Sequence, residues 1–212
     1  NLVTFKMDRK GMNLFKDFYL CWNIYKAYKK INPDIIHHFT IKPIIYGSIA
    51  GRLLGISTIV NSINGLGNYW SQNLIKKKII LTLYRIGLTG DKIKCIFQNK
   101  DDLNLFVDKN IVPRSKTHLV NGSGVDIEKF NVATFPKDSI NFLCVGRLKG
   151  DKGLREYAAA AKIVKKKFPT VVFNLVGPEE TSPDAISLDE VNSWSDYINY
   201  KGKTTDVRPL IK

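Results

Sequence analysis

Apolar positions in this chain fall alternately into helical spacing and into short continuous runs. Leu14, Phe18, Trp22 and Tyr25 recur every three to four residues, which predicts an amphipathic helix ending near Ile31. Pro33-Asp34 interrupts the chain, and the run Ile35 to Phe39 then predicts a buried strand. Pro43 suits the first turn of a helix that runs through Ala50 and Leu54 and stops at Gly55. The pattern continues with strands at Ser57 to Asn61, Lys94 to Gln98 and Thr117 to Val120. Between them lie helices from Tyr69 to about Leu88 and, capped from the Asn99 side, from Asp101 to Lys109.

After an irregular stretch the alternation resumes. Strands are expected at Ile140 to Val145, Val171 to Val176 and Tyr197 to Tyr200. Helices are expected at Leu154 to Phe168 and around Leu188 to Trp194. Strands that are apolar on both faces and alternate with helices imply an α/β fold of parallel sheets covered on both sides. The stretch from Asn131 to Asp138 holds Pro136 and neither periodicity, so it reads as a linker. It divides the chain into domains at 1–134 and 135–212. The chain opens on Asn1 and closes at Lys212 straight after an expected first helical turn, so both ends read as internal to a longer sequence.

Composition narrows this picture. A 44% hydrophobic and 25% charged content is that of a globular chain. No apolar run approaches the roughly 18 residues of a membrane span. Cys21, Cys95 and Cys144 are widely spaced and lie in apolar stretches, which fits buried thiols rather than disulfides or a zinc site. With 33 basic and 19 acidic residues, the net charge is +14, and this asks for an anionic partner: nucleic acid, a membrane surface or a polyanionic substrate. The lysine pair and runs at 29–30, 76–78 and 165–167 lie on expected helices, where such runs most often face solvent. No ribonucleoprotein, zinc-finger or basic-zipper motif is present, so no nucleic-acid partner is expected.

Candidate chemistry gathers where strands end. The segment Val145-Gly146-Arg147-Leu148-Lys149-Gly150-Asp151-Lys152-Gly153 joins a strand to a helix at the edge where α/β folds bind ligands. Arg147 and Lys152, with the positive end of a helix, suit a diphosphate. On pattern alone the same segment serves equally as a basic surface loop in which Gly150 makes the turn. It is neither a Walker loop nor a GxGxxG fingerprint. Asn121-Gly122-Ser123-Gly124-Val125-Asp126 follows a strand with small residues, which permit close approach of a ligand or simply a tight turn. In His37-His38-Phe39-Thr40-Ile41-Lys42-Pro43, Thr40 suits a helix cap and Lys42 an anion. Adjacent histidines on a strand point to opposite faces, so at most one of them serves a given site. Asn64-Gly65-Leu66-Gly67 is a loop after the next strand.

Taken together these segments resemble a family 4 glycosyltransferase of the GT-B fold, in which two Rossmann-like parallel-sheet domains face a cleft. The resemblance rests on Asp8-Arg9 with Gly11-Met12-Asn13, Pro33-Asp34-Ile35-Ile36-His37, Thr40-Ile41-Lys42-Pro43 with Tyr46-Gly47, Gly65-Leu66-Gly67, Gln98-Asn99 with Asp101-Asp102, and Gly122-Ser123-Gly124-Val125-Asp126. It continues through Gly146-Arg147-Leu148, Asp151-Lys152-Gly153, Val176-Gly177, Tyr200 with Gly202, and Asp206-Val207-Arg208-Pro209. The Thr-Ile-Lys-Pro and Asp-Val-Arg-Pro blocks look most like the bacterial branch that builds lipid-linked oligosaccharides, including transferases of N-acetylgalactosamine to an undecaprenyl-diphosphate-linked sugar.

The resemblance implies a hexosyltransferase that retains anomeric configuration. The donor would be a nucleotide sugar, a UDP-N-acetylhexosamine or UDP-hexose, and the acceptor a polyprenyl-diphosphate-linked saccharide in cell-surface glycan synthesis. Arg147 and Lys152 would hold the donor diphosphate and stabilise its departure, with no metal or other cofactor. Gly146, Gly177, Gly202, Lys203 and Asp206 would complete the donor side, with the 202–206 loop reading the base. His38, Thr40, Lys42, Gly65 and Gly67 would line the acceptor side, and Gly122, Ser123, Gly124 and Asp126 the cleft. The lipid substrate implies a peripheral enzyme on the cytoplasmic face of the inner membrane, attracted to its anionic surface. The family's C-terminal pair of glutamates and its opening glycine-rich unit have no counterpart here, so both domains read as incomplete and the isolated chain is expected to be inactive. Two alternatives stand beside this reading: a non-catalytic remnant, and a soluble GT-B enzyme with a non-lipid acceptor.

Overall fold

The computed structural model describes residues 2–5, 7, 13–66, 74–132, 134 and 139–211. The chain divides into two compact units, Asn1–Gly124 and Val125–Lys212. Most of the expected linker, together with the start of the helix expected from Tyr69, lies outside the described residues.

In the first unit, helix α1 spans Leu14–Ile31. Its start is set by Asn13, whose side chain accepts from the Phe15 and Lys16 amides at 3.1 and 3.2 Å. Its end is set by Asn32 in the left-handed conformation, with the cap amide returning to the Tyr28 carbonyl. Strand β1 (Ile35–Phe39) follows, then a wide π-type turn at Pro43–Gly47 that runs into α2 (Ser48–Leu53). The helix expected from Pro43 is therefore present but opens with a wider turn. That turn lies where the His38 ring fills the space a side chain at Gly47 would need. Then come β2 (Thr58–Ile63), α3 (Leu74–Gly87), β3 (Ile93–Phe97), α4 (Lys100–Asp108) and β4 (Thr117–Leu119). Asn99 caps α4 by accepting from the Asp102 amide at 2.7 Å.

The four strands form one parallel sheet in the order β1-β2-β3-β4. Its core is built on one face. Ile36, Ile59, Ile93, Cys95 and Phe97 pack with Leu20 and Ile24 of α1, Ile80 and Tyr84 of α3, and Leu103 and Phe106 of α4. The opposite face carries Ile35, His37 and Phe39 exposed along β1. Coverage of both faces was expected. Among the described residues the helices of this unit cover one face only, and β1 shows the strict in-out alternation that such a sheet requires.

The second unit holds β5 (Asn141–Val145), α5 (Leu154–Lys167), β6 (Val172–Val176), α6 (Leu188–Asn192), β7 (Asn199–Tyr200) and the short α7 (Arg208–Ile211). Its sheet is parallel in the order β5-β6-β7. Leu154, Ala158 and Ala161 of α5 are buried against Phe173 and Leu175, with Trp194 and Ile198 closing the same core. The last strand is shorter than expected because the Tyr197 and Ile198 amides turn back to the Trp194 carbonyl. The α/β class read from the alternation of elements is borne out in both units.

Candidate functional site

In the second unit, the carboxyl ends of all three strands terminate in glycine-bearing segments that touch. The Gly146 amide donates to the Val176 carbonyl, and the Gly177 amide to the Gly202 carbonyl, both at 2.9 Å. Tyr200 donates its hydroxyl to the Gly177 carbonyl at 2.8 Å. Gly177 is buried so tightly that a β-carbon there would lie 1.7 Å from the Gly146 carbonyl oxygen. Gly202 adopts a left-handed φ of 73°, which glycine tolerates without strain. The result is a shelf of bare backbone at the edge where parallel sheets receive ligands.

Two cations border that shelf. Lys152 lies in the tight turn Gly150–Lys152, and its Cβ and Cγ come within 4.0 and 3.9 Å of the β-carbon position of Gly146. Arg147, the next residue along from Gly146, gives Nη1 to Glu180 Oε2 at 2.5 Å; its side chain is 57% exposed and that of Glu180 18%. Gly153 then takes φ 70° and opens α5 without a side-chain cap, its carbonyl accepting from the Tyr157 amide at 2.9 Å. A β-carbon at Gly150 would meet Asp184 Oδ1 at 2.4 Å, so a side chain there would have to push the Asp184 carboxylate aside. Asp184 also accepts from the Asp151 amide at 3.0 Å, and Lys149 pairs with Asp151. Glu180 and Asp184 escaped the sequence reading. The acidic pair after Gly177-Pro178 was the available signal, but a contact across 33 residues leaves no trace in local spacing.

Beyond Gly202, Lys203 is exposed, and Asp206 is held by Arg208 through Nε at 2.8 Å and Nη2 at 2.9 Å. That pairing raises the Arg208 pKa and closes the loop onto the start of α7.

In the first unit the carboxyl end of β1 is irregular. Thr40 holds φ 68°, a left-handed conformation that β-branched residues avoid, and such strain collects at functional sites. Lys42 follows, but its Nζ lies 2.5 Å from Asp17 Oδ1 of α1, with side-chain exposures of 14% and 9%. The Tyr46 hydroxyl donates to the second oxygen of Asp17 at 3.0 Å. Burial first, and the Asp17 charge second, push the Tyr46 phenol upward.

His38 is only 4% exposed. Its Nε2 meets the Tyr28 hydroxyl and its Nδ1 meets Asn61 Oδ1, each at 2.8 Å. Burial pushes Tyr28 up to about 12, so the phenol stays protonated and donates to Nε2. His38 is thereby assigned as the neutral Nδ1–H tautomer, and burial lowers its pKa further. Both ring nitrogens are used inside the core, which leaves this residue no atom for an acceptor. It is His37 that lies on the exposed face, bonded to Ser62 Oγ at 2.8 Å. Gly65 is exposed with φ 138°, and Gly67 lies outside the described residues.

The segment after β4 is open. Gly122 and Gly124 take φ 81° and 74°, and a β-carbon at either meets nothing within 4 Å. Ser123 Oγ accepts from Gln98 Nε2 at 3.0 Å. Asp126 caps a turn through the Glu128 and Lys129 amides and pairs with Lys129 at 2.8 Å, contacts that lower its pKa. Among the described residues no group of three or more His, Cys, Asp or Glu side chains is gathered in a way that would hold a metal ion.

Parallel-sheet units whose strands end in glycine-bearing segments define an α/β protein of the kind that receives ligands at that edge. Residues 1–100 match the family described as "Glycosyl transferase 4-like". The chain is 27% identical over 188 residues, 82% of its length and 48% of the relative's, to "UDP-Gal:alpha-D-GlcNAc-diphosphoundecaprenol alpha-1,3-galactosyltransferase" of Escherichia coli. Among solved structures it is similar to a glycosyltransferase from Rickettsia africae, at 16% identity and a TM-score of 0.64, over 97% of this chain and 56% of that one. It is also similar to UDP-GlcNAc 2-epimerase from Neisseria meningitidis bound to UDP-GlcNAc, at 14% identity and a TM-score of 0.57, over 97% of this chain and 58% of that one. The fold is thus of the GT-B type, shared by transferases and epimerases. The chain spans about half the length of these relatives.

Proposed function

We propose that this chain is part of a retaining hexosyltransferase that moves a sugar from a UDP-sugar to a polyprenyl-diphosphate-linked saccharide. The observation that carries the proposal is the glycine shelf of Gly146, Gly177 and Gly202 bordered by Arg147 and Lys152. Diphosphate oxygens need close backbone approach and fixed positive charge, and this edge offers both. In the transition state the departing nucleoside diphosphate gains charge, so cations already in position lower the barrier with little reorganisation. The loop with Gly202, Lys203 and Asp206 would read the uracil. Thr40, Lys42 and Gly65 would serve the acceptor side. The Escherichia coli relative supports a galactosyl donor and an undecaprenyl-diphosphate acceptor. The fold alone, shared with an epimerase, does not choose between transfer and epimerisation.

Two features support a peripheral position on an anionic leaflet. No described helix is long and apolar enough to cross a membrane. The outward side of α1 carries Phe15, Phe18, Tyr19 and Trp22 at 89, 74, 62 and 49% exposure, followed by exposed Lys26, Lys29 and Lys30. Aromatic rings at the headgroup boundary with lysines reaching lipid phosphates are a recognised interfacial arrangement.

Calorimetric titration with UDP tests the donor reading. Arg147→Ala is expected to weaken binding by about 10- to 100-fold, since hydrogen bonds to charged groups contribute about 1.5–3 kcal/mol. Unchanged affinity would remove the proposal.

A further inference from the structure

We propose that Glu180 is a resident counter-ion for Arg147, displaced by the donor diphosphate and returned when that diphosphate leaves. This rests on the donor reading above and adds a residue that sets donor affinity.

The geometry separates this ion pair from its neighbours. Arg155 grips Glu190 with two nitrogens, Nε at 2.5 Å and Nη2 at 2.9 Å, and Arg208 grips Asp206 likewise. The described contact between Arg147 and Glu180 uses Nη1 alone. A guanidinium offers five donors in a planar fork, so a one-point contact forgoes the two-pronged geometry that makes such pairs strong. A diphosphate can supply that geometry.

The two partners also differ in how they are held. Glu180 is the less exposed, and its other oxygen accepts from the Thr181 amide at 3.2 Å. The strand exit that bears it is tied down by the Leu148 amide, which donates to the Pro178 carbonyl at 2.9 Å. Arg147 stands mostly in solvent. The carboxylate is therefore the anchored member, and the guanidinium is the one that swings.

Electrostatics gives the exchange its direction. Arg147 and Lys152 border the same glycine shelf, and without an anion their like charges disfavour each other. One carboxylate at Arg147 offsets this in part. A diphosphate spans both cations and carries more negative charge, so it displaces Glu180. As the nucleoside diphosphate departs, the carboxylate stands ready to retake Arg147, which favours release.

The test is calorimetric titration of the chain with UDP, inorganic pyrophosphate and uridine, using the parent, Glu180→Gln, Arg147→Ala and the double variant. Glu180→Gln is expected to tighten UDP and pyrophosphate by about 5- to 10-fold. The gain should vanish in the Arg147→Ala background, and uridine affinity should not change. Glu180→Ala, which removes the carboxylate without leaving an amide, should act in the same direction, and melting curves confirm that each variant folds. If Glu180→Gln leaves UDP affinity unchanged or weakens it while Arg147→Ala weakens binding as expected, the counter-ion role is overturned and the donor reading survives. If Arg147→Ala also leaves UDP affinity unchanged, both fail.

Discussion

Gly177 and Gly146 meet backbone to backbone: any β-carbon on Gly177 would overlap the Gly146 carbonyl oxygen, at 1.7 Å. Nothing flexible can yield there, because the obstructing atom belongs to the end of strand β5. A β-carbon on Gly146 itself would meet only Lys152 side-chain carbons, at 3.9 Å or more. Urea denaturation should therefore separate the two substitutions. Gly177→Ala is expected to cost about 3 kcal/mol, the upper end for overpacking, and Gly146→Ala less than about 1 kcal/mol. Equal costs would contradict the close approach.

The buried His38 makes stability depend on pH. Its pKa is lowered in the folded chain, chiefly by burial, so between that value and the unfolded value of about 6.5 the unfolded chain binds more protons. Stability is then fully present above pH about 6.5 and is lost as the pH falls below it. Thermal melts at pH 7.5 and 5.5 should show this loss. His38→Gln should start lower and flatten the profile across that window; a profile as steep as the parent's would argue against the assignment.

Two carboxylate–cation pairs should respond differently to neutralisation. Asp17 is nearly buried and holds both Lys42 and Tyr46. Asp17→Asn leaves an ammonium in a poorly solvated place and should cost about 3–5 kcal/mol. Glu180→Gln acts on a pair whose arginine stands mostly in solvent, and should change stability by less than about 1 kcal/mol. Denaturant midpoints for the two variants decide this.

The outward face of α1 predicts vesicle binding. Flotation with anionic vesicles should recover the chain at low salt, and the recovery should fall as salt rises, since each lysine near an anionic leaflet contributes about 1 kcal/mol. Replacing Phe18 and Trp22 together by Ser should abolish the residual binding at high salt with little loss of stability. Binding that ignores both changes would remove α1 as the contact.

Much of the architecture was legible in the chain itself. Helix α1 ends at Ile31, where the interruption at Pro33-Asp34 predicts, because helix stops act within a few residues. Strands β1 and β5 fall within a residue of the runs that announce them. The candidate donor edge was partly legible too: Gly146, Arg147 and Lys152 are close in sequence, and a strand followed by a helix brings such residues to one end of a sheet. Gly177 and Gly202 could be listed as members, but their contact with each other and with Gly146 depends on which strands pair.

What the residues alone determined is whatever depends on neighbours in sequence: the succession of elements, their caps, and the glycine- and cation-bearing turns at strand ends. Tertiary structure decided which side of β1 became the core, and so buried His38 while leaving His37 outside. It also brought Glu180 to Arg147 and Asp17 to Lys42 across 33 and 25 residues. The physical reason is range. Periodicity and capping are set within a turn or two of chain, whereas the environment of a charge is set by whatever packing carries to within a few ångströms of it.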